Sequence, residues 1–140
     1  MLDALPHGPE FRFLDSLRSL EPGQSGCGNF LLKGDEAFLR GHFPEQPIFP
    51  GVLMIEAVAQ LAGVVAQSDP HLPPLPNLRL TAVRLAKIFG TFGPGESVEI
   101  HAKITGRLGN LIQAEGKVCA DGRDLCRTEI TLSGDHSPRG

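Results

Sequence analysis

His42 and Glu56 are the residues of this chain whose types and spacing point to proton chemistry. Imidazole titrates near neutral pH, so a histidine can act there as base or acid. Glu56 stands inside the apolar run Val52–Ala66, where the other polar side chain is Gln60. Asp and Glu are almost never fully buried without a partner, and a carboxylate in such a run must be satisfied or protonated. Taken singly, each residue has an ordinary explanation. His42 follows Gly41 as a loop residue would, and Glu56 has Gln60 one helical turn away to bond. Taken together, the 14-position spacing and the intervening Pro44, Pro47, Pro50 and Gly51 favour a catalytic pair.

The elements that must position this pair can be read from the pattern. Residues Gly41–Gly51 cannot form regular helix or a central strand, because their prolines fix φ and remove backbone donors. A helix is expected from Gly51 to Gln67, punctuated by Pro50-Gly51 at its start and Ser68-Asp69-Pro70 at its end. It is apolar on nearly every side and should be buried. Residues Phe11–Leu20 predict a first strand or a short helix plus strand, and Gly26–Leu32 a second strand. Beyond a second proline cluster, Pro70–Pro76, long strands are expected at Asn77–Phe89, Ser97–Leu108, Leu111–Ala120 and Arg123–Ser133. Gly109-Asn110 and Asp121-Gly122 separate the last three as hairpin turns. Val98, Ile100, Ala102 and Ile104 alternate with polar residues, so that strand has one buried and one wet face. The expected architecture is α+β, with an antiparallel sheet of five to six strands wrapped around one long central helix. A helix covered by one curved sheet still needs a second surface, which a homodimer supplies.

At 140 residues the chain is long enough for one real core. A single domain over 1–133 is expected, with a flexible tail at 134–140. The net charge of −3 leaves no nucleic-acid footprint. Cys27, Cys119 and Cys126 show no CxxC spacing and one would be left over from any disulfide, which favours a reducing cytoplasm and core packing over redox or metal roles. His7, His71, His101 and His136 show no partner pattern, and no metal site or cofactor is expected. No signal peptide is evident, and Val52–Ala66 is too short to span a membrane.

The stretch from Phe38 to Ala66 closely resembles the signature of the bacterial 3-hydroxyacyl-acyl-carrier-protein dehydratases, hot-dog-fold enzymes of fatty-acid synthesis. The matching pieces are Gly41-His42-Phe43-Pro44, Pro47, Pro50-Gly51-Val52-Leu53, Glu56-Ala57 and Ala59-Gln60. Weaker agreement reaches Leu5-Pro6-His7, Phe13-Leu14-Asp15, Lys87-Ile88-Phe89 and Pro94-Gly95-Glu96. The resemblance implies that His42 takes a proton from C2 of a 3-hydroxyacyl thioester and that Glu56 orients or protonates the departing hydroxyl. Burial among apolar residues should raise the Glu56 pKa and keep it an acid at neutral pH. The Gly51 N–H, at the positive end of the helix, should receive the charge that builds on the thioester oxygen. Gln60 is expected to support Glu56, and Phe43, Pro50 and Phe89 to line the acyl tunnel. The resemblance also implies a homodimer, or a trimer of dimers, in which the His of one subunit faces the Glu of the other. The implied partner is acyl carrier protein, with Arg79, Arg84 and Lys87 meeting its acidic helices or its phosphopantetheine phosphate.

The chain departs from the family pattern at Thr91, which stands where a proline is usual, and it has no tyrosine to gate a tunnel. Two other functions share such a frame. One is a hot-dog thioesterase, which also uses a carboxylate on the central helix. The other is a non-catalytic or specialised relative in a polyketide-type pathway.

Overall fold

Tight turns and alternating hydrophobicity organise the C-terminal half of the chain. In the computed structural model, which describes residues 12–33, 49 and 51–135, strands β4 (Ser97–Leu108), β5 (Leu111–Ala120) and β6 (Arg123–Ser133) form two consecutive hairpins. Leu108 pairs with Leu111 and Ala120 with Arg123, so each connection has two residues. Asp121 and Gly122 both take positive φ (50° and 78°), the primed geometry that matches strand twist, whereas at the other turn Gly109 does so at 59°. Strands β1 (Ser16–Glu21), β2 (Ser25–Leu31) and β3 (Arg79–Ile88) complete a six-stranded sheet of order β1-β2-β4-β5-β6-β3. Every pairing is antiparallel.

Helix α1 runs over Gly51–Gln67, as the punctuation predicts. Its C-terminal end is closed by the Val65 carbonyl, which accepts from the Ser68 hydroxyl at 2.7 Å, the Ser68 N–H at 3.2 Å and the Gly23 N–H at 3.0 Å. These donors satisfy a carbonyl that the helix itself leaves open. Gln67 then straps the proline-rich connection back onto the helix, donating to Leu75 O at 2.6 Å and accepting from Leu75 N at 2.9 Å.

The concave face of the sheet is built from small residues, and α1 sits down on them. A Cβ on Gly26 would lie 2.9 Å from Val65 Cγ2, and one on Gly116 would lie 2.5 Å from Val58 Cγ1. Ala102 and Ala114 continue this floor, both buried. At the N-terminal end of the helix the filling is aromatic. Phe13 stands edge-on to Phe30 and Phe49 with ring centroids 5.9 and 5.4 Å apart, and Phe49 stacks on Phe92 at 4.7 Å. Such pairs add about 0.5–1.5 kcal/mol each beyond the area they bury.

The helix is covered on all but one stripe. Val52, Glu56, Gly63 and Gln67, spaced by 4, 7 and 4 residues, share one side and stay half-buried or exposed, whereas Met54, Ile55, Ala57, Val58, Leu61 and Val65 on the other sides are buried. Val52 is 67% exposed. The expectation of a helix buried all round therefore holds for the faces that meet the sheet, and Glu56 lies on the face that does not.

The ends of the packed region differ from the expected boundaries. Residues 12–14 precede β1 without regular structure, so the first strand begins at Ser16. At the other end Gly134 N donates to Asn110 O at 3.0 Å and Asp135 N to Pro76 O at 2.7 Å, so the bonded chain passes the expected limit at 133. The cysteines also separate. Cys126 is a core thiol that burial pushes up to about 11, whereas Cys27 is half-buried on the convex face of the sheet. Core packing thus describes Cys126 and not Cys27. No described helix is long and apolar enough to cross a membrane.

Candidate active site

Gly51, the first residue of α1, carries one of the N–H groups at the positive end of the helix that have no partner within the helix itself. A Cβ there would lie 2.9 Å from Ile88 Cδ1 and 3.3 Å from Ile88 Cγ2, at the end of β3. Glycine lets the helix start tuck against that strand and keeps its N–H approachable. Five residues on, about 7.5 Å along the axis, Glu56 occupies the open stripe one turn above Val52, half-buried between buried Ile55 and Ala57. His42, Phe43 and Pro50 lie outside the described residues.

Gln60 is almost fully buried at 2% exposure, and its side-chain oxygen accepts the Phe13 N–H at 2.8 Å. That bond anchors the chain ahead of β1 to the middle of the helix, a link between residues 47 apart that periodicity gives no hint of. Replacing Gln60 with Leu should cost about 1–3 kcal/mol, because the buried Phe13 N–H loses its acceptor. Urea denaturation of the purified variant measures this, and an unchanged midpoint would show that water takes over the bond.

Thr91 shows why its proline-type position tolerates a threonine. Its hydroxyl donates to Phe49 O at 2.5 Å, and the Phe49 N–H donates to Phe92 O at 2.8 Å. The segment after β3 thereby grips the residue two places before the helix and sets where the helix starts. Next to it, Pro94 and Gly95 form a tight turn with Gly95 at φ 87°, and Gly95 N bonds Leu32 O at 2.7 Å. Positive φ at the third turn residue is the type II geometry that asks for glycine.

Phe89 is 59% exposed, and its N–H donates to Leu125 O at 2.8 Å. Arg79, Arg84 and Lys87 all lie exposed on β3, an edge strand that pairs with β6. Arg79 comes within 3.6 Å of Asp135 and Arg84 within 3.9 Å of Glu129, exposed pairs whose attraction water largely screens.

A sequence profile described as the FabA-like domain matches residues 5–129, a span that contains both His42 and Glu56. The chain belongs to the FabA-like dehydratase family. A relative from Syntrophotalea carbinolica, named 3-hydroxyacyl-[acyl-carrier-protein] dehydratase FabZ, is 31% identical over 135 residues, covering 93% of this chain and 88% of its own. A FabZ from Roseiflexus castenholzii is 33% identical over 134 residues, covering 92% and 90%. Among solved structures, the dehydratase heterocomplex ApeI:P from Xenorhabdus doucetiae superposes with a TM-score of 0.80 at 17% identity, over 97% of this chain and 91% of that one. Zebra fish thioesterase superfamily member 2 superposes at 0.70 with 12% identity, over 96% and 91%. These neighbours establish the hot-dog fold. Because dehydratases and thioesterases share it, the fold does not choose between their chemistries. Membership of the dehydratase family rests on the sequence.

Proposed function

We propose that this family member catalyses the reversible dehydration of a 3-hydroxyacyl group on acyl carrier protein to the trans-2-enoyl thioester. Identity of 31–33% with FabZ dehydratases over more than 90% of the chain carries the reading. His42 takes the proton from C2, and the electrons of that C–H bond form the new double bond to C3. The C3–O bond breaks, and Glu56 supplies the proton that lets the oxygen leave as water. Charge gathering on the thioester oxygen is met by the Gly51 N–H at the helix start. Gln60 holds the middle of the helix in register behind Glu56. Phe43, Pro50 and Phe89 line the acyl path.

The active form is a homodimer in which His42 of one subunit serves Glu56 of the other. Support comes from the uncovered stripe of α1 around Val52 and Glu56, and from β3, where Val83 and Ile88 are 45% and 49% exposed. Arg79, Arg84 and Lys87 on that strand supply positive charge for an acidic carrier protein, which steers encounter more than it tightens binding. Such a protein works in the cytoplasm, where acyl chains are built on soluble carriers.

Purified protein mixed with crotonyl- and 3-hydroxyacyl-carrier protein tests the assignment, with enoyl absorbance and free thiol followed together. Interconversion of the enoyl signal without thiol release is the expected result. Thiol release would make the chain a thioesterase, and silence in both readouts would remove the enzymatic assignment for these substrates.

A further inference from the structure

Strand pairing brings three metal-ligating side chains together on the convex face of the sheet, on the side away from α1. Cys27 of β2 stands opposite His101 of β4, and Glu99 precedes His101 by two residues on the same face. Cys27 Sγ is 3.8 Å from His101 Nε2, and Glu99 Oε2 is 3.7 Å from that same nitrogen. All three donor atoms lie within 4.8 Å of one another. We propose that this cluster binds a divalent metal of the zinc class through Cys27 Sγ, Glu99 Oε2 and His101 Nε2, with water as the fourth ligand.

The geometry separates a metal site from a nucleophile. In a thiol–imidazole–carboxylate relay the thiol and the carboxylate contact opposite ring nitrogens. Here both face Nε2, so the donors converge on a point and not along a chain. Zinc holds sulfur at about 2.3 Å and nitrogen or oxygen at about 2.0–2.1 Å. A tetrahedron with those bonds puts S···N near ~3.6 Å and N···O near ~3.4 Å. The observed separations of 3.8 and 3.7 Å exceed these by a few tenths of an ångström, within reach of small side-chain rotations.

The donor types agree with this. Thiolate with imidazole selects zinc-like ions over the hard cations that prefer all-oxygen cages. The second oxygen of Glu99 is bonded by Arg18 of β1, which orients the carboxylate as outer residues of metal sites do. The three ligands are half-buried, so water can reach the fourth position. On binding, the thiol proton of Cys27 leaves to solvent and a metal–sulfur bond takes its place. The metal would tie β2 to β4 without touching Glu56, which lies on the far side of the sheet. His101 and Cys27 thus acquire the partners that their sequence context does not reveal.

Cobalt(II) titration of the metal-free full chain tests the proposal. One equivalent should produce a thiolate-to-cobalt charge-transfer band with tetrahedral visible bands, and zinc should displace it. Cys27→Ser, a one-atom change, should remove the charge-transfer band. His101→Asn and Glu99→Gln should each weaken binding by about tenfold or more. Cys119→Ser should leave the titration unaltered, and circular dichroism checks the fold of each variant. No charge-transfer band in excess cobalt, a band that survives Cys27→Ser, or one that disappears with Cys119→Ser while the fold is kept would each overturn the proposal.

Discussion

Glu56→Gln should lower dehydratase turnover by about 10²–10⁴-fold, the usual worth of a positioned acid or base, while leaving the fold intact. Glutamine preserves the size and most of the hydrogen-bonding shape of the side chain but cannot deliver a proton. The position supports a clean experiment. Glu56 sits on the uncovered stripe of α1, half-buried, so the substitution disturbs none of the sheet packing carried by Met54, Val58 and Leu61 on the covered faces. A role in holding the helix would appear as lost stability, whereas a role in chemistry appears as lost kcat with an unchanged urea midpoint. His42→Ala should be equally inactive. Mixing the two inactive variants as a heterodimer should restore activity at one of the two sites if each site draws on both subunits. Near-normal turnover of Glu56→Gln would sink the residue assignment, even if the wild-type chain proves to be a dehydratase.

Gly116→Ala should destabilise the fold by about 3 kcal/mol, the upper part of the usual range for overpacking. A Cβ at this position would lie 2.3 Å from His101 O and 2.5 Å from Val58 Cγ1. The first contact is with backbone of the paired strand β4 and the second with the helix, so neither a rotamer change nor a local shift relieves both. Gly106→Ala is the control, because the nearest atom to its Cβ is Gln113 Cβ at 3.9 Å and its φ is ordinary. That variant should be neutral or slightly more stable. Combining Gly116→Ala with Val58→Ala should recover part of the loss, the share due to the helix contact. A double-mutant cycle in urea measures that share. A Gly116→Ala protein as stable as wild type would mean that the helix does not sit this close to β5.

The two predictions concern different layers of one arrangement. Small residues on the concave face let α1 settle deeply into the sheet, and depth decides which residues of the helix remain on its open stripe. If the floor at Gly26 and Gly116 were raised by side chains, the helix would ride out and Glu56 would move with it. Thr91 and Phe49 act on the other coordinate, fixing where the helix starts and therefore where the Gly51 N–H points.

Much of this was legible in the order of residues. The bounds of α1, β4, β5 and β6 follow from local signals: an apolar run between proline and Ser-Asp-Pro punctuation, period-two alternation, and two-residue turns at Gly109-Asn110 and Asp121-Gly122. Each acts within a few residues, so sequence spacing carries it. The FabA-like family was equally legible, because the spaced His42, Pro50-Gly51 and Glu56 pattern is itself a linear feature.

What only the tertiary structure decided depends on contacts between distant segments. Gln60 bonds the chain 47 residues earlier, Thr91 grips Phe49, two places before the helix, and Cys27 meets His101 from 74 residues away. None leaves a periodic trace, since one polar side chain in the right register is enough and register is set by pairing across the sheet. The same holds for the open stripe of α1: the composition of Val52–Ala66 calls for burial on every side, and the curvature of a single six-stranded sheet determines which side goes uncovered. Residue types and their local spacing thus determined the elements and the family, whereas sheet register and helix depth decided which side chains face one another.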